Sequence, residues 1–440
     1  MTRRPTLTQL QVERLGAPRF DTPFRGERFA QPGERVLWAS TTTDLEASQA
    51  AGEEPASFEI AGARRRLFFD PRRVTCGVVS CGGLCPGINN VIRSLVLSLT
   101  HGYGVAPERI LGFRYGFAGL ADADPPPLRL DPEAVMQIHE EGGSLLGSSR
   151  GPQDVGRMVD RLETSGVSIL FTIGGDGTQR GAAALCEEID RRGLEIAVVG
   201  IPKTIDNDIR LIERSFGFAT AVDEARRVID GAHSEAWGAH HGIGMVKLMG
   251  RHSGFITAHA TLASSDVNFC LVPEVPFSVE GLAAALEQRL RERRHAVVAV
   301  AEGAGQELMP SEGRRADASG NARLGDIGPF LKRELRRALE ARGLRHTLKY
   351  IDPSYIVRSL PANALDAEYC LRLGQLAVHA AMAGRTRLLI GFWNRHFTHV
   401  PIDAAVRERK RLDPKGAVWQ RVLEATGQPA SMILTTRGDS

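Results

Sequence analysis

Apolar residues in this chain collect into short, unbroken, β-branched runs, and glycines end each run. Residues 74–80, 168–173 and 196–200 are of this kind. A continuous apolar run predicts a strand buried on both faces, as in a parallel sheet, where a half-exposed strand would alternate. Between the runs the apolar spacing changes to three and four. From Asn89 it follows Val91, Ile92, Leu95 and Leu97, and from Thr178 it leads through Leu185. These stretches read as amphipathic helices. A second set of strands is predicted at 244–248, 269–272 and 296–301, with a helix over 279–294, and a late strand at 387–391. Strand alternating with helix predicts an α/β protein with two such units. The boundaries expected are an N-terminal extension at 1–72, a first domain at 73–238 completed by about 355–402, a second at 239–354, and a helical tail at 403–440. Residues 306–325 are polar and turn-rich, and read as a surface loop.

Composition narrows the function classes. With 440 residues, 24% charged and 42% hydrophobic, the chain is of ordinary globular type and long enough for two domains. No apolar run reaches the roughly 18–20 residues of a membrane helix, and the start lacks a signal-peptide core, so a cytoplasmic protein without a membrane partner is expected. A net charge of +3 gives no global attraction to nucleic acid. Only six of the 55 basic residues are lysines, which makes each lysine informative; Lys203 and Lys349 stand beside candidate motifs. The six cysteines do not form a disulfide framework. Cys76, Cys81 and Cys85 lack a second pair at zinc spacing, and small buried thiols are the expected reading.

The glycine loops carry the chemistry. Cys81 to Gly87, Gly174-Gly175-Asp176-Gly177-Thr178, and Pro202 to Asp208 each follow a predicted strand. Ligands of parallel α/β sheets collect at such carboxyl ends, where glycine lets backbone N–H groups and a helix N-terminus approach phosphate. Three loops in one domain suggest a polyphosphate site, although none has the Walker or dinucleotide spacing. Asp176, amid glycines at the end of a buried strand, suits a magnesium ion bridging phosphates; the alternative is a helix cap, a role Thr178 can also take. Asp206 and Asp208 stand two apart, so that on an extended segment both face one site. Phosphoryl transfer to an alcohol needs a proton acceptor, a magnesium-bound donor and cations. Asp206 fits the acceptor and Asp208 a secondary or magnesium-linked role; turn formation is the alternative. Lys203, Arg251, Lys349 and Arg358 are the candidate cations. Glu302, ending an apolar strand, fits an acceptor of sugar hydroxyls or a buried salt-bridge partner.

These loops, with Met249-Gly250-Arg251 and Tyr355-Ile356-Val357-Arg358, stand in an order that resembles the 6-phosphofructokinases, over residues 68–402. The wording of Gly82-Gly83-Leu84-Cys85-Pro86-Gly87 and Pro202-Lys203-Thr204-Ile205-Asp206-Asn207-Asp208 is most similar to the plant and trypanosome ATP-using branch. The resemblance implies two Rossmann-like three-layer α/β/α domains with the active site in the cleft between them. It implies nucleotide contacts at Gly82, Arg150, Gly151, Gly175, Asp176, Gly177 and Thr178, with Asp176 the magnesium ligand. It also implies contacts to fructose 6-phosphate at Thr204, Ile205, Asp206, Met249, Gly250, Arg251, Glu302, Lys349, Tyr355, Ile356, Val357 and Arg358. Asp206 would take the proton, Asp176 would position magnesium, and Gly82 N–H with Arg251 and Lys203 would serve the transferring group. Such enzymes are glycolytic, allosteric homodimers or homotetramers, and some phosphate-binding cations cross subunit boundaries.

Three positions depart from the bacterial ATP-dependent pattern. Lys203 replaces a glycine, Lys349 an arginine, and Gly242 a further arginine. The long N-terminal extension argues against transferring the bacterial effector mode. For the donor, Gly177 leaves open the space of the nucleotide's α-phosphate, which an aspartate fills in pyrophosphate-dependent relatives, whereas Lys203 by itself favours pyrophosphate. Exclusion is harder to circumvent than an added cation, so ATP with Mg2+ is the expected donor. The alternatives are a pyrophosphate-dependent phosphotransferase and a catalytically silent, nucleotide-binding regulatory subunit.

Overall fold

The computed structural model describes residues 5–310 and 323–433. Most of the loop expected at 306–325 therefore falls outside the described residues. The apolar runs form two sheets. In a nine-stranded sheet, Ile110–Phe113, Cys76–Ser80, Ile169–Gly174, Ala197–Pro202 and Leu388–Trp393 lie side by side and parallel. In a four-stranded sheet, Phe269–Leu271, His295–Ala301, Gly242–Leu248 and Thr347–Ile351 are all parallel. The predicted strands are present with ends shifted by at most two residues. Strand Thr347–Ile351 had no distinctive pattern, because its side chains are largely exposed at the sheet edge.

Burial on both faces explains the unbroken runs. Cys76, Val78, Ile169, Phe171, Ala197 and Val199 face one core. The alternate residues Val79, Leu170 and Val198 face helices Val155–Thr164 and Asp176–Arg191 in another. The second sheet repeats this arrangement. Val246, Leu248, Val297 and Ala299 join the first core, and Met245, Val298 and Val300 face helices Val279–Arg293 and Ile327–Ala341. Helix Phe218–Trp237 places Phe218, Ala221, Ala225, Ile229 and Ala232 in the shared core, so the two α/β units pack through one apolar layer. A fully buried Val or Ile contributes roughly 1.5–3 kcal/mol, so a charge at Val199 would break the centre of the larger sheet.

The described segments before and after the two α/β units are built into this frame. Arg35–Leu37 and Ser57–Ile60 extend the larger sheet beyond antiparallel His396–Pro401, and Glu13–Arg14 pairs with Arg385–Thr386. Ser57-Phe58-Glu59-Ile60 was too short and too mixed to read as a strand, yet Phe58 is fully buried. The region expected as a helical tail contains helices Ile402–Val406 and Ala417–Thr426, with an ordered strap between them. The second helix packs on Phe255–Ser264, and Gln428 then caps the second sheet by accepting from Cys270 N–H at 2.6 Å. All six cysteines are buried, unpaired thiols. Among the described residues no helix is long and apolar enough to cross a membrane.

Candidate active site

The loops leaving the carboxyl ends of Cys76–Ser80, Ile169–Gly174 and Ala197–Pro202 meet beside those leaving Gly242–Leu248 and His295–Ala301. Gly82 has φ +89°, a backbone that favours glycine. Lys203, almost fully buried, reaches back to donate from Nζ to the Gly83 carbonyl at 2.6 Å. Burial, reinforced by nearby Arg150 and Arg358, pulls the Lys203 ammonium below its usual pKa. A Cβ on Gly83 would lie 2.8 Å from Arg150 Nη2 and 3.6 Å from Arg358 Nη1. Three cations thus converge on a glycine turn, which is a phosphate cradle in its chemistry. The Gly82 N–H is already used: it donates to the Ser149 carbonyl at 2.9 Å. Serving the transferring group, as expected for Gly82, requires that bond to open.

Asp176 opens helix Asp176–Arg191 but does not cap it, for Gly175 at the N-cap position receives no side-chain bond. Its carboxylate is held by Arg180, at 3.2 and 3.3 Å, and by Arg409 Nη2 at 3.2 Å. A Cβ on Gly177 would meet nothing within 4 Å, so the space beside it is open. Thr178 is buried beneath the loop, within 2.4 Å of where a Cβ on Gly174 would stand.

The Thr204 to Asp208 segment departs from the expected geometry. It is a turn, with Asn207 at φ +53°, so alternation along a strand does not bring the two carboxylates together. Asn207 Nδ2 donates to the Glu213 carbonyl at 3.1 Å, and its Oδ1 accepts from Ser215 N–H at 3.0 Å. This staple folds the loop over so that Asp206 and Asp208 share one buried site. Asp208 accepts from Thr204 Oγ1 at 3.1 Å and lies 3.9 Å from Arg409 Nη1. Asp206 Oδ1 is buried and makes no hydrogen bond. Burial, then repulsion from Asp208 and Glu302, raises the Asp206 pKa well above the usual carboxylate range, while Arg409 and Arg251 oppose the rise. A proton acceptor with a free, desolvated oxygen is the result.

From the second sheet, Gly250 has φ +129°, and a Cβ there would lie 2.6 Å from the Ser253 carbonyl. This turn seats Met249 half-buried and brings Arg251 near enough to Asp206 and Glu302 to lower the pKa of each. Glu302 is raised by burial and held down also by Lys247 and Arg358. Ser253 Oγ donates to the Asp206 carbonyl at 3.1 Å, tying the two halves of the cleft together. Arg358 stacks on Tyr355 at 4.8 Å; Tyr355 and Ile356 are exposed.

Several expected contact residues are placed otherwise. Ile205 and Val357 are core side chains, leaving only their backbone to a ligand. Arg150 is exposed, with Gly151 turning the chain at φ +97°. Lys349 does not reach this cleft. It sits at the middle of Thr347–Ile351 and pairs with Glu235 on helix Phe218–Trp237. Gly242 cannot be exchanged for arginine on this backbone, since a Cβ would lie 2.0 Å from the Ala236 carbonyl.

Other lysines and the strap were missed. Lys247 reaches Asp352 at 2.7 Å and Asp326 at 3.0 Å. Arg409 is anchored by a backbone bridge to Ile209, and Lys410 N–H donates to the Asp208 carbonyl at 2.8 Å. Lys410 Nζ donates to the Ile212 and Glu213 carbonyls, and burial pulls its pKa down to about 7. Leu412 N–H donates to Glu274, the carboxylate that also accepts from Gly254 N–H. Beside them burial, with Arg409 and Arg251, lowers the His252 pKa to about 4, so its imidazole is neutral. In the sequence, Arg407 to Arg411 is a charge run that looks solvated. The scarcity of lysine was the one available signal: three of six lysines, Lys203, Lys247 and Lys410, stand at the cleft.

Asp176 and Asp208 supply hard carboxylate oxygens facing the same guanidinium, a donor set that suits a divalent cation bound with phosphate oxygens.

Comparison with known proteins adds findings of three kinds. A sequence profile described as "Phosphofructokinase" matches residues 75–381. The chain is 48% identical to an ATP-dependent 6-phosphofructokinase of Amycolatopsis methanolica, covering 96% of each protein. It is 44% identical to an ATP-dependent 6-phosphofructokinase of Trypanosoma brucei brucei, over 98% of this chain and 90% of that one. For ATP-dependent 6-phosphofructokinase 1 of Arabidopsis thaliana, the identity is 46%, with coverages of 85% and 80%. Among solved structures, a pyrophosphate-dependent phosphofructokinase from Marinobacter aquaeolei superposes with a TM-score of 0.65 at 20% identity, covering 80% of this chain and 91% of that one. At that identity the likeness concerns the fold.

Proposed function

The chain belongs to the phosphofructokinase family, and from that premise we propose that it is an ATP-dependent 6-phosphofructokinase, transferring the γ-phosphoryl of ATP to O1 of fructose 6-phosphate in glycolysis. The observation that carries the catalytic reading is Asp206 Oδ1, buried without a hydrogen bond in a carboxyl group whose pKa is raised. It accepts the proton of the sugar's C1 hydroxyl as the oxygen attacks phosphorus. The new O–P bond forms as the bond from the γ-phosphorus to the bridging oxygen breaks, and ADP leaves. Lys203, Arg150 and Arg358 around Gly83 hold phosphate groups, with Gly175 to Thr178 alongside the nucleotide. Met249 to Arg251, Glu302 and Tyr355 to Arg358 hold the sugar phosphate. Asp176 with Asp208 would hold magnesium, which when bound neutralises charge on the donor's phosphates. Arg409 occupies that pair of carboxylates here, so the guanidinium must yield for the ion to enter.

Gly177 favours ATP over pyrophosphate. The space beyond its Cα is open: among the described residues no atom lies within 4 Å of where a Cβ would stand. Lys203 in the phosphate cradle supports the second reading, a pyrophosphate-dependent enzyme. We further propose a cytoplasmic homodimer or homotetramer in which the exposed Lys349 serves a neighbouring copy's sugar-phosphate site.

The deciding experiment measures fructose 1,6-bisphosphate formation from fructose 6-phosphate and magnesium with one donor at a time. Turnover with ATP alone is expected. Turnover with pyrophosphate alone would show that Lys203 decides the donor. Silence with both would turn the reading toward a regulatory subunit.

A further inference from the structure

Glu274 has no part in the phosphoryl-transfer steps, yet its carboxyl group touches the supports of both sides of the cleft. It stands in the loop that follows Phe269–Leu271 and is half-buried. Its Oε1 and Oε2 each accept from Gly254 N–H at 3.1 Å, and Oε1 also accepts from Leu412 N–H at 2.9 Å. Gly254 belongs to the second unit's active-site turn, and Leu412 to the strap. The two donors are more than 150 residues apart in the chain.

On the sugar side, Gly254 is the N-cap of helix Phe255–Ser264 and supplies no side chain to its first turn. A larger residue does not fit, for a Cβ there would lie 2.3 Å from Val272 Cγ1. A glutamate at the third helical position often reaches back to the N-cap N–H. Here that position is Thr257, whose buried Oγ1 makes no hydrogen bond, and Glu274 takes the part from another segment. Fixing Gly254 N–H fixes the end of the turn that begins at Met249 and presents Arg251. Ser253, next to the cap, bonds to the Asp206 carbonyl at 3.1 Å.

On the donor side, the strap crosses from helix Ile402–Val406, packed on Asp176–Arg191, to helix Ala417–Thr426, packed on Phe255–Ser264. Along the crossing Arg409 contacts Asp176, Lys410 N–H bonds to the Asp208 carbonyl, and the Lys410 ammonium lies 5.2 Å from the centre of the Phe255 ring. Leu412 follows Arg409 by three residues, at most about 11 Å of extended chain, so its bond to Glu274 limits how far the guanidinium can withdraw. We propose that Glu274 is a positioning residue joining the two sides: through Gly254 it holds Arg251 for the sugar phosphate, and through Leu412 it holds Arg409 on Asp176 and Asp208. This role rests on the phosphofructokinase reading of both sides. Weakening the Glu274 bonds has opposite consequences at the two sites. Arg251 loses its orientation, so sugar phosphate binds less well. Arg409 loses its anchor, which frees the carboxylates for a cation.

The test uses two equilibrium titrations of the full chain without nucleotide: fructose 6-phosphate by calorimetry, and Mn2+ by electron paramagnetic resonance. Glu274→Gln keeps the size of the side chain but only one accepting oxygen. Affinity for fructose 6-phosphate should fall about tenfold, as for a lost charge-assisted hydrogen bond, while affinity for Mn2+ rises about fivefold. General loosening of the fold would weaken both, so the opposite signs separate positioning from mere support. Adding Glu274→Gln to Arg409→Ala should tighten Mn2+ no further than Arg409→Ala alone, because both changes remove the same guanidinium. Glu274→Asp keeps a carboxyl group but withdraws it by one carbon–carbon bond, about 1.5 Å, and should give the same pair of shifts if the amide variant folds poorly. Unchanged affinity for fructose 6-phosphate, or Mn2+ binding that is unchanged or weaker, would overturn the proposal while the parent binds both probes. A parent chain that binds neither would overturn the phosphofructokinase reading, and this role with it.

Discussion

At the carboxyl end of the nine-stranded sheet, Asp206 keeps a buried oxygen without a hydrogen bond and shares its site with Asp208 and Glu302. At the amino end Glu59, equally enclosed, is held by Arg64, Arg385 and neighbouring His399. The consequences for the two acids are opposite. Burial raises both, but at Asp206 like charges add to it, whereas at Glu59 hydrogen bonds and cations overwhelm it and hold the pKa far below the ordinary range. An excess of acid at one end leaves a base ready for a proton. The arginines at the other leave Glu59 a fixed counter-ion. Buried charge is informative about function where its compensation is incomplete.

Removing either acid separates the two roles. Asp206→Asn should lower kcat by about 10²–10⁴-fold, the usual contribution of a positioned base, while the affinity for fructose 6-phosphate measured by titration is retained. The same variant should melt no lower than the parent, and about 2 °C higher if ionised Asp206 opposes folding. The sign follows from the raised pKa: that group favours the fold while protonated, and the contribution is lost as pH rises through its folded value. Near-normal turnover would remove Asp206 from the mechanism. Glu59→Ala should do the reverse. It leaves Arg64 and Arg385 buried without their carboxylate, costing about 3–5 kcal/mol in denaturant titrations, with KM values unchanged in whatever protein folds.

Smaller effects sharpen the catalytic end. Gly177→Asp meets open space and adds an acid to the first turn of helix Asp176–Arg191, so the fold should tolerate it. It should nevertheless cut kcat/KM for ATP about a hundredfold, by crowding the nucleotide with a like charge, and leave pyrophosphate use unaffected or improved. Equal loss with both donors would mean that position 177 does not choose between them. Arg409→Ala removes a half-exposed guanidinium from the carboxylates, a contact worth about 1 kcal/mol. Manganese binding to the nucleotide-free protein, followed by electron paramagnetic resonance, should tighten about fivefold. Unchanged or weaker binding would show that Arg409 does not compete for Asp176 and Asp208. Last, the acid limb of kcat/KM should lie above the roughly 3.9 of an ordinary aspartate, because Asp206 must lose its proton to act. A limb in the ordinary range would place the essential ionisation elsewhere.

The glycine loops were legible because their chemistry is local. A buried apolar run followed by Gly174 to Thr178 or Pro202 to Asp208 names both the strand and the ligand end of a parallel sheet. Lys203 stood out through the scarcity of lysine. Other members of the site gave no local sign. Arg409 lies more than two hundred residues from the carboxylates it contacts, in a charge run that looks like solvated surface. Lys349 gave no sign of its direction for a related reason. It stands at the middle of Thr347–Ile351, and its pairing with Glu235 on helix Phe218–Trp237 is a tertiary contact. Ser57–Ile60 became a strand by pairing with His396–Pro401, a contact that no four-residue pattern encodes.

The sequence by itself determined the two-unit α/β plan, the glycine loops at the carboxyl ends of the strands and which carboxylates those loops carry. Period, glycine placement and residue type act within a few residues, and those reach the fold unaltered. The tertiary structure alone decided how charge is balanced. Whether a buried acid keeps its proton or is held ionised depends on partners brought together from distant segments, and on water excluded by packing. That is why Asp206 and Glu59, two acidic side chains that composition cannot separate, end with pKa values shifted in opposite directions.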